Sequence, residues 1–472
     1  MFLLSLIAGL ASAQAGAVEI TVYNQGFALV KENRTLQLRQ GRQSVAIENV
    51  AAAIEPQSVG VRSLTDPTSF EVLEQNYQYD LISPTAILAK AVGQKIRFLR
   101  VLPNGSRETL EGKLVSSPTA IVNTGGGGQQ TYNGMVIQTD EGRVILNPTG
   151  EIEVASIPEG LISKPTLLWD LDVTKPGPNE VELSYITQQM SWNASYVLTL
   201  DGAGSGDIRG WVSMNNSSGA TYKDAKLKLL AGDVQRAQTR AQEFGRRGGA
   251  GGAVADKGFA EEAFFEYHLY TLQRPATLRN NEMKQLSLLE ASGLKVEKKL
   301  ILDSMQDFGR YIPGEGEIGT GNIKPMVRVE FVNSKANQMG MPLPQGTVKV
   351  FQRDKSGSVQ LLGEDQIQHT PRDERVSLFV GRSFDIVGTR KRTNWRWADN
   401  SRRNIEETFE IEVRNRKETA DTVIVLERHF GDWTVTSSNM TGTKPDSETL
   451  QFIVPLKAGE VKKILYTVVT KW

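Results

Sequence analysis

Apolar and polar residues alternate in short runs along most of this chain, and Gly, Asn, Asp or Pro breaks each run within a few residues. A period of two belongs to a strand with one buried and one solvated face. It predicts strands at 19–23, 44–47, 180–186, 196–200, 326–331, 347–351, 408–413 and 422–426. Turn signals recur throughout, and 44 of the 472 residues are glycine. The expected fold class is therefore all-β, a multidomain chain of β-sandwich, immunoglobulin-like modules.

One segment departs from that period. In 83–93, Ser83 suits a helix N-cap, Pro84 the first helical position and Gly93 the stop. Short strand runs follow at 95–102, 109–115, 134–139, 144–146 and 151–155. A leading helix with about five small strands predicts a small SH3-like barrel inserted after an N-terminal β module. Such barrels often bind peptides or nucleic acid, yet a fold does not fix a function.

The length calls for more than one core. The expected division is a signal peptide at 1–17, an N-terminal β module at 18–80 and the small barrel at 81–160. A central sandwich follows at 161–375, with a disordered Gly-rich loop at about 235–260, and a C-terminal immunoglobulin-like sandwich closes the chain at 376–472. The first 17 residues form an apolar run that ends in small residues, which is the grammar of a removable signal, although no Lys or Arg precedes it. The chain contains no cysteine, so its expected extracytoplasmic location comes without disulfides. No later run is long and apolar enough to span a bilayer as a helix, and the expected mature chain has no transmembrane segment.

The 54 basic and 54 acidic residues cancel, so no global field draws in nucleic acid, and none is expected as a partner. The three histidines, His268, His369 and His429, lie far apart in sequence and lack metal-ligand spacing. No nucleophile elbow and no His-Glu-x-x-His occurs. Neither a metal nor another cofactor is expected, no catalytic residue is assigned, and the chain reads as more a binding protein than an enzyme. Adjacent carboxylates such as Glu261 and Glu262, or Glu406 and Glu407, would point to opposite faces of a strand. The Gly-rich loop at 201–207 reads as a hairpin connection, with a weak calcium site as the sharper alternative. Gly125 to Gly128 read as a hairpin tip, because no Gly-Lys-Ser/Thr follows to complete a phosphate cradle. The final strand at 463–472 reads as the last strand of a sandwich, with Trp472 closing its edge.

Two blocks around the Gly-rich loop are distinctive. One runs from Ser191-Trp192-Asn193 through Gly210-Trp211-Val212 to Tyr222-Lys223-Asp224 and Ala231-Gly232-Asp233; the other is Phe265-Glu266-Tyr267-His268-Leu269-Tyr270. With Tyr23-Asn24-Gln25-Gly26-Phe27 near the start and Glu412-Val413-Arg414-Asn415 and Gly431-Asp432-Trp433 near the end, they resemble the bacterial mucoidy-inhibitor-like family. That resemblance implies an exported β-sandwich protein and no established reaction. The chain differs from members that carry a long N-terminal coiled coil, since the barrel-like segment stands in that place.

The one local concentration of charge is 389–403, where Arg390, Arg392 and Arg396 interleave with Trp395 and Trp397. Guanidinium forks pair with anions and indoles stack on sugars, so these five residues form the candidate site for a polyanion or glycan. The plainer reading has the arginines answering Glu406, Glu407 and Glu410 across a hairpin. The expected function is a non-enzymatic cell-envelope module for a protein or polysaccharide partner. The alternatives are a hydrolase of envelope polysaccharide and an outer-membrane assembly component that offers edge strands.

Overall fold

The computed structural model describes residues 14–101, 105–116, 120–124, 128–132, 134–146, 150–236, 259–306 and 319–471. Residues 1–13 of the expected signal, 237–258 of the expected Gly-rich loop, the 125–127 tip and Trp472 lie outside them. Among the described residues are 33 strands, one α-helix and two 3-10 turns. The chain is an all-β protein of several sheets.

The strands bury what their alternation predicts. In Thr166–Val173, Leu167, Trp169, Leu171 and Val173 are buried, while Asp170 and Asp172 face out. This strand is flanked by Gly41–Glu48 and Phe70–Gln78 in a three-stranded sheet. An eight-stranded sheet runs in the order Phe259–Phe264, Tyr267–Leu272, Tyr222–Ala231, Gln14–Tyr23, Phe27–Leu38, Gly177–Gln188, Gly60–Ser63, and Ala276–Leu278 also pairs with Tyr222–Ala231. A five-stranded sheet adds Glu282–Lys295, Ser205–Asn216, Met190–Leu200, Gly346–Arg353 and Val359–Ile367. One continuous apolar core, from Ile20 to Leu378, joins all three and also takes in Val329, Phe331, Val376 and Leu378 of a fourth sheet.

Residues 18–80 therefore have no core separate from the central sandwich. Their strands are too few to cover both faces, and they pair with strands made much later. Gln14–Tyr23 lies parallel to Tyr222–Ala231, with Val22 opposite Leu229, and Gly41–Glu48 pairs with Thr166–Val173. Residues 14–17, at the end of the expected signal, belong to the first of these strands.

Residues 81–160 contain a five-stranded antiparallel sheet in the order Val144–Leu146, Val136–Thr139, Arg107–Ser116, Lys95–Val101, Glu151–Val154. Its small core includes Ile96, Phe98, Leu114 and Ile137. The helix Pro84–Lys90 precedes it, and the Ser83 hydroxyl accepts from Ala86 N–H at 3.0 Å as an N-cap. Gly93, at φ +89°, makes the turn into the first strand. The segment leaves and rejoins the sandwich at one point, where Ile82 N–H donates to Ile162 O and Ile162 N–H donates to Asp80 O.

A second large core, from Leu300 to Val468, lies between two five-stranded sheets. One sheet orders Arg375–Arg382, Met326–Val332, Glu297–Asp303, Asp421–Arg428, Thr449–Leu456; the other orders Gly321–Ile323, Ile386–Trp397, Asn404–Asn415, Val461–Lys471, Asp432–Ser438. This C-terminal sandwich recruits strands from before residue 376, because Glu297–Asp303 pairs in parallel with Asp421–Arg428. Val461–Lys471 is an interior strand, flanked by Asn404–Asn415 and Asp432–Ser438. No helix among the described residues is long and apolar enough to cross a membrane.

Candidate interaction site

The five residues singled out at 390–397 do not share one exposed face. Arg390 is fully buried: its Nε donates to both carboxylate oxygens of Glu427, at 3.1 and 2.8 Å, and its guanidinium lies 3.9 Å above the Phe409 ring. Arg392 pairs with buried Glu407 at 2.8 Å. The cause is parity. Ile386, Gly388, Arg390 and Arg392 alternate inward, and a bulge between Arg392 and Asn394 then resets the register. Beyond the bulge, half-buried Trp395 and Trp397 sit opposite Glu407 and Ile405, and their rings meet edge-on at 5.4 Å. Arg396 alone points outward, held by both oxygens of Glu406 at 2.7 and 2.8 Å. Two of the three arginines expected to meet a polyanion are thus structural members of the C-terminal core.

The same core holds His429. The Tyr466 hydroxyl donates to Glu427 at 2.5 Å and lies 3.2 Å from His429 Nε2, so the imidazole presents Nε2–H to the phenolic oxygen. Burial, helped by the positive charges of Arg390 and Lys444, pushes the His429 pKa down to about 3. In the unfolded chain the ring takes up a proton near pH 6.5. The folded state resists that proton, so the stability this neutral ring contributes is lost as the pH falls from about 6.5 toward 3. The expected result is a smaller acid-induced loss of stability in His429→Gln than in the parent over that interval. Urea titrations at pH 7 and pH 4 measure it.

Asp201 spends its carboxylate within its own turn, accepting from Ala203 N–H at 2.7 Å, Ser205 N–H at 3.0 Å and the Ser205 hydroxyl. Among the described residues no three His, Asp or Glu side chains gather as a metal site.

A different surface assembles around the second distinctive block. Phe259–Phe264 and Tyr267–Leu272 form a hairpin joined by the two-residue turn Phe265-Glu266. Such turns require positive φ and are normally built from Asn, Asp or Gly. Here Phe265 adopts φ +57° and is 80% exposed, and neighbouring Phe264 is 54% exposed. Tyr267 follows, its ring 6.1 Å from that of Phe265. Gly232 permits the close approach of Tyr267, because a Cβ there would stand 2.4 Å from the ring. Tyr23 stacks on Phe27 at 4.2 Å, and burial together with the neighbouring Tyr267 raises the Tyr23 pKa. Arg236 lies 4.4 Å above Phe27 and reaches both oxygens of Glu55, at 2.8 and 2.7 Å.

The hairpin is braced from within. Glu261 is buried and its Oε1 lies 2.7 Å from His268 Nδ1, whereas Glu262, the next residue, is exposed. His369 accepts from Gln345 N–H through Nδ1, and burial lowers its pKa. Phe259–Phe264 is the terminal strand of the eight-stranded sheet, paired on one side to Tyr267–Leu272 and carrying no second strand among the described residues.

Sequence reasoning marked this block as distinctive. It missed the exposed tip, because Phe-Phe-Glu carries no hairpin signal. No family model matches this chain, and no curated protein matches it.

Proposed function

We propose that this chain is an exported cell-envelope protein that works without catalysis, by binding a protein partner along the free edge of Phe259–Phe264. The carrying observation is that edge: a strand that is terminal among the described residues, with a row of backbone groups on one side open to a partner strand. The apolar run at 1–17 and the resemblance to an exported family support the location. An open edge beside exposed aromatics is the chemistry of strand addition, in which main-chain bonds supply affinity and side chains supply selectivity.

The two-residue turn sets which groups face out. Phe264 and Tyr267 flank it as a hydrogen-bonded pair, so Ala263, opposite His268, directs its N–H and C=O away from the hairpin. Proline at position 263 removes an outward donor and leaves the inward ladder intact. Tagged full-length chain, incubated with solubilised envelope of its source, is expected to retain a stoichiometric protein partner that Ala263→Pro loses, with the melting temperature nearly unchanged. Equal retention by parent and variant, or recovery of glycan alone, would overturn the reading.

A further inference from the structure

The turn at Phe265 identifies the kind of surface the partner presents. An aromatic residue at positive φ is a strained backbone outlier. Glycine would occupy the same position without that strain. Among the described residues its packing offsets little of that strain: the Phe265 side chain is 80% exposed with its ring 6.1 Å from that of Tyr267, and Phe264 beside it is 54% exposed. The phenyl groups stand at the end of the terminal strand, and the ionisable residues flanking them on the hairpin, Glu262 and Glu266, are both acidic and exposed. The third carboxylate of the hairpin, Glu261, turns inward to His268. An apolar knob with an acidic border matches a pocket with a basic border, and it disfavours an anionic lipid surface, which would repel both carboxylates.

We propose that Phe265, supported by Phe264, is the anchor of the interface, and that the partner is a protein with an apolar pocket rimmed by Lys or Arg. This rests on the reading of Phe259–Phe264 as a docking edge and adds what lies at its end. Aromatic anchors seated in desolvated pockets dominate interface energetics, and their flanking charges set the approach and the on-rate.

The test places a photoreactive phenylalanine, p-benzoylphenylalanine, at position 265 of the full chain. It is irradiated in solubilised envelope, and the cross-linked peptide is sequenced by mass spectrometry. The expected product joins position 265 to an apolar segment of another protein bordered by Lys or Arg. Phe265→Gly is expected to lower recovery of that protein at least about tenfold while its melting temperature stays level or rises, because the strained turn is relieved. Glu262→Lys with Glu266→Lys is expected to lower recovery as well, and most strongly at low salt. A cross-link to lipid, to a second copy of this chain or to a segment without basic neighbours overturns the proposal, as does unchanged recovery with Phe265→Gly. If Ala263→Pro abolishes recovery and Phe265→Gly does not, the docking edge stands and the anchor is refuted. If neither variant changes recovery, both fail.

Discussion

Replacing Glu427 by Leu is expected to destabilise the C-terminal sandwich by about 3–5 kcal/mol, the usual consequence of stripping one partner from a buried ion pair. Arg390 and Glu427 are both fully buried, and the carboxylate serves two donors, the Arg390 guanidinium and the Tyr466 hydroxyl. Leucine would take from the buried guanidinium its ion-pair partner Glu427. The double variant Arg390→Met with Glu427→Leu removes both charges together and is expected to recover most of the loss. Calorimetry of the intact chain measures this. Equal losses in the single and double variants would mean that packing volume, and not charge pairing, governs the site.

Asn216→Ala is expected to weaken the central sandwich by about 3 kcal/mol, because it strands several buried backbone groups at once. Asn216 Nδ2 donates to the carbonyls of Ala220, Leu278 and Arg279 at 2.9, 3.3 and 3.1 Å, and its Oδ1 accepts from Ser218 N–H at 3.1 Å. The same device recurs. Asn333 Nδ2 reaches the carbonyls of Met341 and Pro371 at 2.9 and 3.0 Å, and Asn415 Nδ2 reaches those of Thr419 and Lys457, both at 2.9 Å. Each is a buried asparagine at or just after a strand end, closing loops whose carbonyls have no ladder to join. Asn216→Asp, nearly isosteric but unable to donate, should lose almost as much stability as alanine at pH 7. A loss below about 1 kcal/mol by urea titration would mean that water replaces the amide.

What the sequence made legible was local. Alternation located the strands: the run at 44–47 lies within Gly41–Glu48, and that at 180–186 within Gly177–Gln188. Ser83 and Pro84 gave the start of the helix, because capping chemistry acts between near neighbours, whereas the helix stops at Lys90 with Ala91 as C-cap, two residues before Gly93. Pairing over distance was not legible. Nothing in 14–23 names 222–231 as its parallel neighbour, since period two fixes which face is buried and leaves the choice of neighbour open. The basic-aromatic segment was misread for the same reason: one extra residue between Arg392 and Asn394 changes which face the tryptophans take, and bulges leave little trace in composition. The plainer expectation had arginines answering Glu406, Glu407 and Glu410; Arg396 and Arg392 meet the first two, while Glu410 pairs with Lys463. Phe265 was hidden because its backbone conformation contradicts its residue type.

The long-range pairing of the central sheets also dictates an order of events during synthesis. Val22 cannot meet Leu229, nor Ala194 meet Gly346, until the later residue of each pair has left the ribosome. Until then the central sheets lack their later strands, although the sheet within 81–160 and the three-stranded sheet ending at Val173 can already pair. Contacts this distant also close slowly. The central core thus stays incomplete for most of the chain's manufacture, its apolar faces exposed to chaperones, and it can close only late, after some three-quarters of the chain has been made.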